Sequence, residues 1–387
     1  MTRISSSERA TTRKARLACR SILAAVITTL SVGSGGSTAH AAPRIYTIGV
    51  DNKTPSGHLI QYTDFFPRRG TAVLRGDIVD FKWNKGSPDG FHTATLLKTI
   101  DSPGASSSPV VPDPDDGAQL QENPAVDEPS DPSCGTRGYP CAFDGSAQVN
   151  SGAFDNAPGH DFYAAINAPP GTTVTFVCLI HKAMVGTLSV VGRGASTVRS
   201  VNAAAVAQYP ADTKDALAAE KAVRVPAPTS NSDGSTTWNA QAGAAGPYEQ
   251  VLEFFPRSLS VKAGDRVAWT TKVTDAHTMT FPDGDASAAD DYHHPVCEGG
   301  PLSTDTPAAE PPAPPCSNPT NFEVHSTPFP AGGTTLASPA TVATSGLIVV
   351  GFPLFPDHYT FKLAGVGNYA YQCKVHDHMT GRVSAAS

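Results

Sequence analysis

Short runs of β-branched and aromatic residues recur along the chain. Residues 173–177 (TVTFV) and 369–372 (YAYQ) roughly alternate between core-facing and solvent-facing types, and residues 188–191 and 347–352 are brief apolar runs. Gly and Pro separate them, which predicts antiparallel strands joined by turns, packed as β-sandwiches. Three stretches break this pattern. An apolar run over residues 22–32 follows a basic segment. Residues 195–223 are rich in Ala, with Lys, Glu and Asp spaced through their second half, and Asp212 is placed to cap a helix over 213–223. Residues 226–234 (PAPTSNSDG) read as a flexible linker.

The strand pattern is written twice. Asp64-Phe65-Phe66-Pro67-Arg68 returns as Glu253-Phe254-Phe255-Pro256-Arg257, and the Gly76-Asp77 turn returns as Gly264-Asp265. A strand follows each turn, then a histidine with matching neighbours, His92-Thr93-Ala94-Thr95 and His277-Thr278-Met279-Thr280. Each copy ends on Cys-x-x-His-x-x-Met, Cys178 to Met184 and Cys373 to Met379. A repeat of this length is a duplicated domain, not a solenoid. The expected organisation is an export signal over 1–41, a first domain over 43–192, a partly helical connector over 193–236, and a second domain over 237–387. Each domain carries an insertion rich in Pro, Asp, Ser, Gly and Ala, about 101–160 and 283–346, read as polar loop outside the core.

Composition and charge narrow the setting. Hydrophobic residues are 40% of the chain, enough for packed cores, and 34 Gly with 34 Pro favour turns over helical bundles. Arg3, Arg9, Arg13, Lys14, Arg16 and Arg20 precede the apolar run, and Ala39-His40-Ala41 offers small residues for cleavage. The run is too short to span roughly 30 Å of hydrocarbon, so a secreted or otherwise extracytoplasmic protein without stable membrane insertion is expected. Residues 1–41 hold six basic side chains and one acid, so their removal takes the net charge from −7 to about −12. Nucleic acid and anionic membranes are repelled by such a chain.

Of seven cysteines, Cys19 lies in the signal. Cys134 and Cys141 fall in the first insertion, and Cys297 and Cys316 in the second. An oxidising compartment favours a disulfide staple within each insertion, although four cysteines admit three connectivities. Cys178 and Cys373 remain, one per copy. In each, a thiolate, an imidazole and a thioether lie within seven residues, and a distant histidine completes a His₂Cys set with a weak axial Met. That donor set suits a blue-type copper ion.

Both copies resemble cupredoxins of the plastocyanin, pseudoazurin and amicyanin group. The resemblance rests on residues 367–376 (GNYAYQCKVH), on residues 171–181 with one extra residue, and on the short gap before Met184 and Met379. It implies two Greek-key sandwiches, each holding one copper ion cycling between Cu(I) and Cu(II). The ligands it implies are His92, Cys178, His181 and Met184, then His277, Cys373, His376 and Met379. It also implies that His181 or His376 reaches the surface as an electron port. Thr93 and Thr278 stand where many members carry Asn, and a hydroxyl there is placed to brace the ligand loop. His378 reads as a solvated neighbour of Met379, with replacement of that ligand as the alternative. His58, His160, His293, His294 and His325 read as loop residues outside any metal site.

The expected function is single-electron transfer with redox partner proteins, with no catalytic residues of its own. The acids Asp113, Asp115, Asp116, Glu122, Asp127 and Glu128 read as a solvated face, or as a docking patch for a basic partner. Copper storage or delivery needs no further residues. A two-domain copper oxidase needs more histidines, with one beside the cysteine, and here Val177 and Gln372 hold those positions.

Overall fold

In a computed structural model, the structure describes residues 42–84, 86–87, 91–98, 110–112, 120–154, 161–284, 329–352 and 355–387. The expected signal, His160, His293, His294, His325, Asp113, Asp115, Asp116, Cys297 and Cys316 lie outside them.

The described chain is nearly all β, built as two sandwiches in tandem. In the first copy one sheet runs Phe65–Phe66, Ile45–Val50, Ile78–Trp83, Asp161–Ile166, Cys141–Phe143. Its partner sheet runs Val149–Phe154, His92–Leu96, Thr173–Val177, Val185–Val191, Thr71–Leu74. The strand over Ile45–Val50 buries every second residue, so Tyr46, Ile48 and Val50 line the core. Phe176 lies 4.9 Å from Phe65 and 5.2 Å from Phe81, edge to face. Such pairs contribute about 0.5–1.5 kcal/mol each beyond the area they bury.

The second copy repeats the plan. Glu249–Phe255, Thr236–Ala245, Arg266–Thr271, His358–Leu363 and Thr335–Leu336 form one sheet. Ser258–Lys262, Thr380–Ala386, Gly367–Gln372, Thr280–Phe281 and Ala343–Thr344 form the other. Trp269 packs between Phe281, Phe361 and Tyr371 and donates its indole N–H to the Tyr371 hydroxyl at 3.0 Å. Phe176 and Tyr371 each sit two residues before a motif cysteine, so the aromatic core is directly coupled to the end of that strand.

The copies share a sheet. Ile60–Tyr62 of the first pairs antiparallel with Glu249–Phe255 of the second, Tyr62 opposite Glu249 and Ile60 opposite Val251. Between them packs an apolar cluster of Ile60, Tyr62, Phe66, Ala216, Ala244 and Val251. Arg68 ties three parts together. It pairs with Asp64, lies 2.9 Å from Asp212 on the connector helix, and stacks 3.8 Å over the Tyr248 ring.

Three sequence expectations are corrected. The helix spans Val198–Ala222, capped by Thr197 and Ser200 in a reciprocal box, and Asp212 lies inside it. Pro210 removes one backbone donor mid-helix, which is why local rules favour a start after it. The packing of Val201 and Ala216, with the Arg68 contact to Asp212, carries the helix through. The linker contains a paired segment, Thr229–Ser230 against Thr236 and Thr237. The insertions are not wholly loop: Cys141–Phe143, Val149–Phe154, Thr335–Leu336 and Ala343–Thr344 are sheet strands, and Val126 and Phe143 are buried. A Cys134–Cys141 disulfide closes the first insertion.

Glu249, opposite Tyr62 at the shared edge, is fully buried, and its Oε1 has no hydrogen-bond partner among the described residues. Burial, with Asp212 and Asp215 nearby, pushes its carboxyl up to about 7. Folding therefore favours the protonated acid. That contribution is present below the unfolded value and is lost as pH rises through about 7. Glu249→Gln is expected to gain about 1–2 kcal/mol on wild type between pH 5 and pH 8. Urea midpoints of both proteins at the two pH values check this; an equal difference at both contradicts it.

Candidate metal centres

Each motif cysteine follows directly after a core strand, at Thr173–Val177 or Gly367–Gln372, and the chain then closes on itself. In the first copy Cys178 N–H donates to Met184 O at 3.0 Å, and Met184 N–H to His181 O at 3.0 Å. In the second, Cys373 N–H donates to Met379 O at 2.9 Å, and Met379 N–H to His376 O at 3.3 Å. Those bonds require the spacing of the motif: cysteine, histidine and methionine fall at the corners of one closed loop. Cys178, Met184, Cys373 and Met379 are all buried.

The remote histidines come from the neighbouring strand or its equivalent. His92 opens the strand His92–Leu96, and His277 is bridged to Ile348. In the first copy His92 Nδ1 lies 3.1 Å from His181 Nδ1, and Cys178 Sγ lies 3.5 Å from His181 Nδ1. In the second, Cys373 Sγ lies 3.5 Å from His376 Nδ1, and the His277 and His376 ring centroids are 4.9 Å apart. Within each triad the donor atoms all lie within 4.8 Å of one another. A first-row ion bonded at roughly 2.0–2.3 Å in a triangle of donors holds them roughly 3.5–4 Å apart, so the spacing and the N₂S donor set fit such an ion.

The threonines brace the loops. Thr93 N–H donates to Cys178 Sγ at 3.4 Å, and the Thr93 hydroxyl accepts from Leu179 N–H at 2.8 Å. Thr278 repeats both bonds, to Cys373 Sγ at 3.4 Å and from Lys374 N–H at 2.8 Å. Each hydroxyl is held in turn by a second threonine, Thr95 at 3.0 Å and Thr280 at 3.1 Å. Thr93→Val leaves the Leu179 N–H buried without its acceptor. It is expected to cost about 1–3 kcal/mol in a thermal or urea melt, with Thr93→Ser retaining most of that. A valine variant as stable as wild type contradicts this role.

Electrostatics favour thiolates. Burial raises both thiols, yet the histidines outweigh it. His181 and His92 hold Cys178 well below the ordinary thiol range, and His376 with His277 brings Cys373 down to about 5. Burial likewise lowers His92, but the Asp51 and Cys178 contacts raise it to about 10.

The carboxylates behind the histidines were not foreseen in the sequence. Asp51 Oδ2 lies 3.1 Å from His92 Nε2, buried, with Ser87 as its other partner. In the second copy the carboxylate moves to the other ring: Asp275 Oδ2 lies 3.2 Å from His376 Nε2, an ion-pair contact not aligned as a hydrogen bond. The parallel strand pairings, Val50 with Trp83 and Ala242 with Thr271, make Gly243 the counterpart of Asp51. Both have left-handed backbone, φ 58° and 70°. A Cβ on Gly243 would lie 2.3 Å from His277 Nε2, so no side chain fits there. Conversely, Gly90 stands two residues before His92, where Asp275 precedes His277. In sequence, the Asp of each copy thus aligns with a Gly in the other.

His181 is half-buried, with Lys182 and Ala183 exposed, while His376 is only 1% exposed. The expected surface position of the second histidine therefore does not hold for His376, which has Asp275 behind it. His378 is exposed with φ 65°, and Met379 is 1% exposed. Among the described residues a third cluster joins His58, Glu220 and Glu253. Its groups are already engaged: His58 Nδ1 lies 3.1 Å from Glu220 Oε2, and Arg257 grips Glu253 through two nitrogens.

No protein-family profile matches the chain, and no curated protein sequence does. Similar solved structures include a mutant amicyanin in its Cu(I) form, 14% identical, TM-score 0.20, covering 42% of this chain and 97% of that one. A mutant plastocyanin of fern is 13% identical, TM-score 0.20, covering 38% of this chain and 99% of that one. Auracyanin B is 16% identical, TM-score 0.20, covering 43% of this chain and 94% of that one.

Proposed function

We propose that the chain is an exported, cupredoxin-like electron carrier with two blue-type copper centres, one held by His92, Cys178, His181 and Met184 and the other by His277, Cys373, His376 and Met379. The observation that carries this reading is the pair of His–Cys–His triads, buried apart from the half-buried His181, each with its thiol drawn toward thiolate and a buried methionine closing its loop. Bound copper would supply a reversible one-electron couple. The protein's part is to keep the donors fixed, through the loop-closing backbone bonds and the Thr93 and Thr278 hydroxyls, so that little must move when the charge changes. At the first centre the half-buried His181 edge faces outward and is the proposed contact for a redox partner protein.

A carrier is favoured over a storage or delivery protein because both ligand loops are closed by backbone bonds and braced by a threonine hydroxyl, a construction that would slow release of an ion. An oxidoreductase reading lacks its further histidines among the described residues, since the third cluster is an ion-pair network around Arg257. The test is copper reconstitution of the purified chain. Two equivalents of copper with intense thiolate-to-copper absorption in the red are expected; a colourless chain that binds none overturns the reading. Oxygen consumption with a phenolic donor should be absent.

A further inference from the structure

Asp51 stands where the first centre meets the seam between the copies. It is 1% exposed, with left-handed backbone, φ 58°. Its Oδ2 lies 3.1 Å from His92 Nε2 and accepts from the Ser87 hydroxyl. Its Oδ1 accepts from Tyr62 N–H at 2.8 Å, and its own N–H donates to Asp64 O at 3.1 Å. Tyr62 and Asp64 belong to the seam. Tyr62 pairs with Glu249 of the second copy, and its hydroxyl lies 2.7 Å from Thr213 Oγ1 on the connector helix. Asp64 holds Arg68 and Gln208. One carboxylate thus touches a ligand histidine of the first centre with one oxygen and the inter-copy strand with the other. The second copy has no such link. Gly243 offers no side chain at the matching position, and His277 Nε2 has no hydrogen-bond partner among the described residues. Asp275, which faces His376, comes from residues beyond the strand Arg266–Thr271, away from the shared edge.

We propose that Asp51 is a positioning residue that links occupancy of the first centre to the seam, so that an ion held by His92, Cys178 and His181 tightens the pairing of Ile60–Tyr62 with Glu249–Phe255; this rests on the reading that the first centre holds copper. In the metal-free chain the His92 ring is held by polar contacts alone, Nε2 to Asp51 and Nδ1 to His181, each at 3.1 Å. A bound ion fixes the ring, and the outer N–H then has one direction in which to donate. That holds Asp51 Oδ2, and the planar carboxylate keeps Oδ1 facing the Tyr62 N–H. Motion the ion removes at His92 is removed at the strand end as well. The coupling is reciprocal: whatever loosens the seam weakens the ion at the first centre by the same factor. An ion at the second centre, with Gly243 in the matching place, leaves the seam as it was.

The experiment is amide hydrogen exchange of the full chain, metal-free and loaded with Cu(II), read by mass spectrometry on peptides covering Ile60–Tyr62 and Glu249–Phe255. Loading is confined to one centre by Cys373→Ala or by Cys178→Ala, and copper content is measured in each sample. Copper at the Cys178 centre is expected to slow exchange in both peptides about fivefold, the low end of ordinary coupling between sites. Copper at the Cys373 centre should leave both unchanged. Asp51→Asn tests the link itself. Asparagine suits the left-handed backbone but offers one acceptor oxygen in place of two, so it serves either Tyr62 or His92. In Asp51→Asn the slowing should vanish while copper still binds. A purely structural Asp51 would alter free and loaded chains alike and keep that difference, which overturns the proposal. Equal protection from both centres, or none from the first, overturns it too. Tyr62→Phe, which loosens the seam outside either centre, is the reciprocal check: copper at the Cys178 centre should bind about two- to fivefold more weakly, and at the Cys373 centre as before. Unchanged affinity at both centres counts against the link. A chain that takes up no copper overturns the functional reading and the link together; two equivalents bound without protection overturn the link alone.

Discussion

Cys178→Ala is expected to remove about half of the red thiolate-to-copper absorption and one copper equivalent, and Cys373→Ala the other half. The size of the effect follows from the donor set. The thiolate is the charge-transfer partner, and two imidazoles without it form a colourless site. The separation of the halves follows from geometry, because each triad is complete within its own copy. The folded frame should survive, since Cys-to-Ala removes one buried sulfur at a cost of about 1 kcal/mol. Copper content and absorption, read together with an unfolding curve, make the check. A variant that keeps the full colour shows that its domain holds no blue site.

Arg68→Ala should lower stability by about 3–5 kcal/mol, the largest loss expected from a single non-core substitution. Arg68 faces two carboxylates, Asp64 and Asp212, whose side chains are 0% and 2% exposed. Even with the guanidinium in place, burial and the neighbouring Asp212 push Asp64 up to about 8. Without it, both acids face each other in a buried space with only Gln208 as a shared donor. Protonation of one relieves part of the strain, so the loss should be smaller at pH 6 than at pH 8. Urea unfolding at both pH values tests this, and Arg68→Lys should recover only part because a single ammonium cannot fork between two acids. A loss under about 1 kcal/mol at pH 8 would show that Arg68 is not holding the connector helix to the first copy.

The parts of this molecule that local sequence encodes were readable in advance. Cys178, His181 and Met184 form one closed loop within seven residues, so their spacing is itself the geometry. His92 and His277 were readable because the duplication set one beside the other. Asp51 and Asp275 were not. Asp51 lies 41 residues from His92 and reaches it only because parallel pairing sets the end of its strand beside the site. The duplication concealed both, because each Asp has a Gly as its counterpart and so breaks the repeat. The one available signal was that mismatch, Asp51 against Gly243, at a position where both need left-handed backbone. The helix start was hidden by Pro210, whose local cost is overridden by packing that depends on distant residues. The strands inside the insertions were hidden by their composition, since three-residue strands such as Cys141–Phe143 borrow their register from Asp161–Ile166.

The strand Ile60–Tyr62, lent by the first copy to the sheet of the second, decides how the molecule can be taken apart. Cutting the chain at the connector would leave Glu249–Phe255 with an unpaired edge and bare the apolar cluster around Tyr62, a template for aggregation. The two copies therefore cannot be dissected by truncation, only by point substitution. The same pairing ties the fold of each copy to that of the other, since Ile60–Tyr62 covers the edge at Glu249–Phe255.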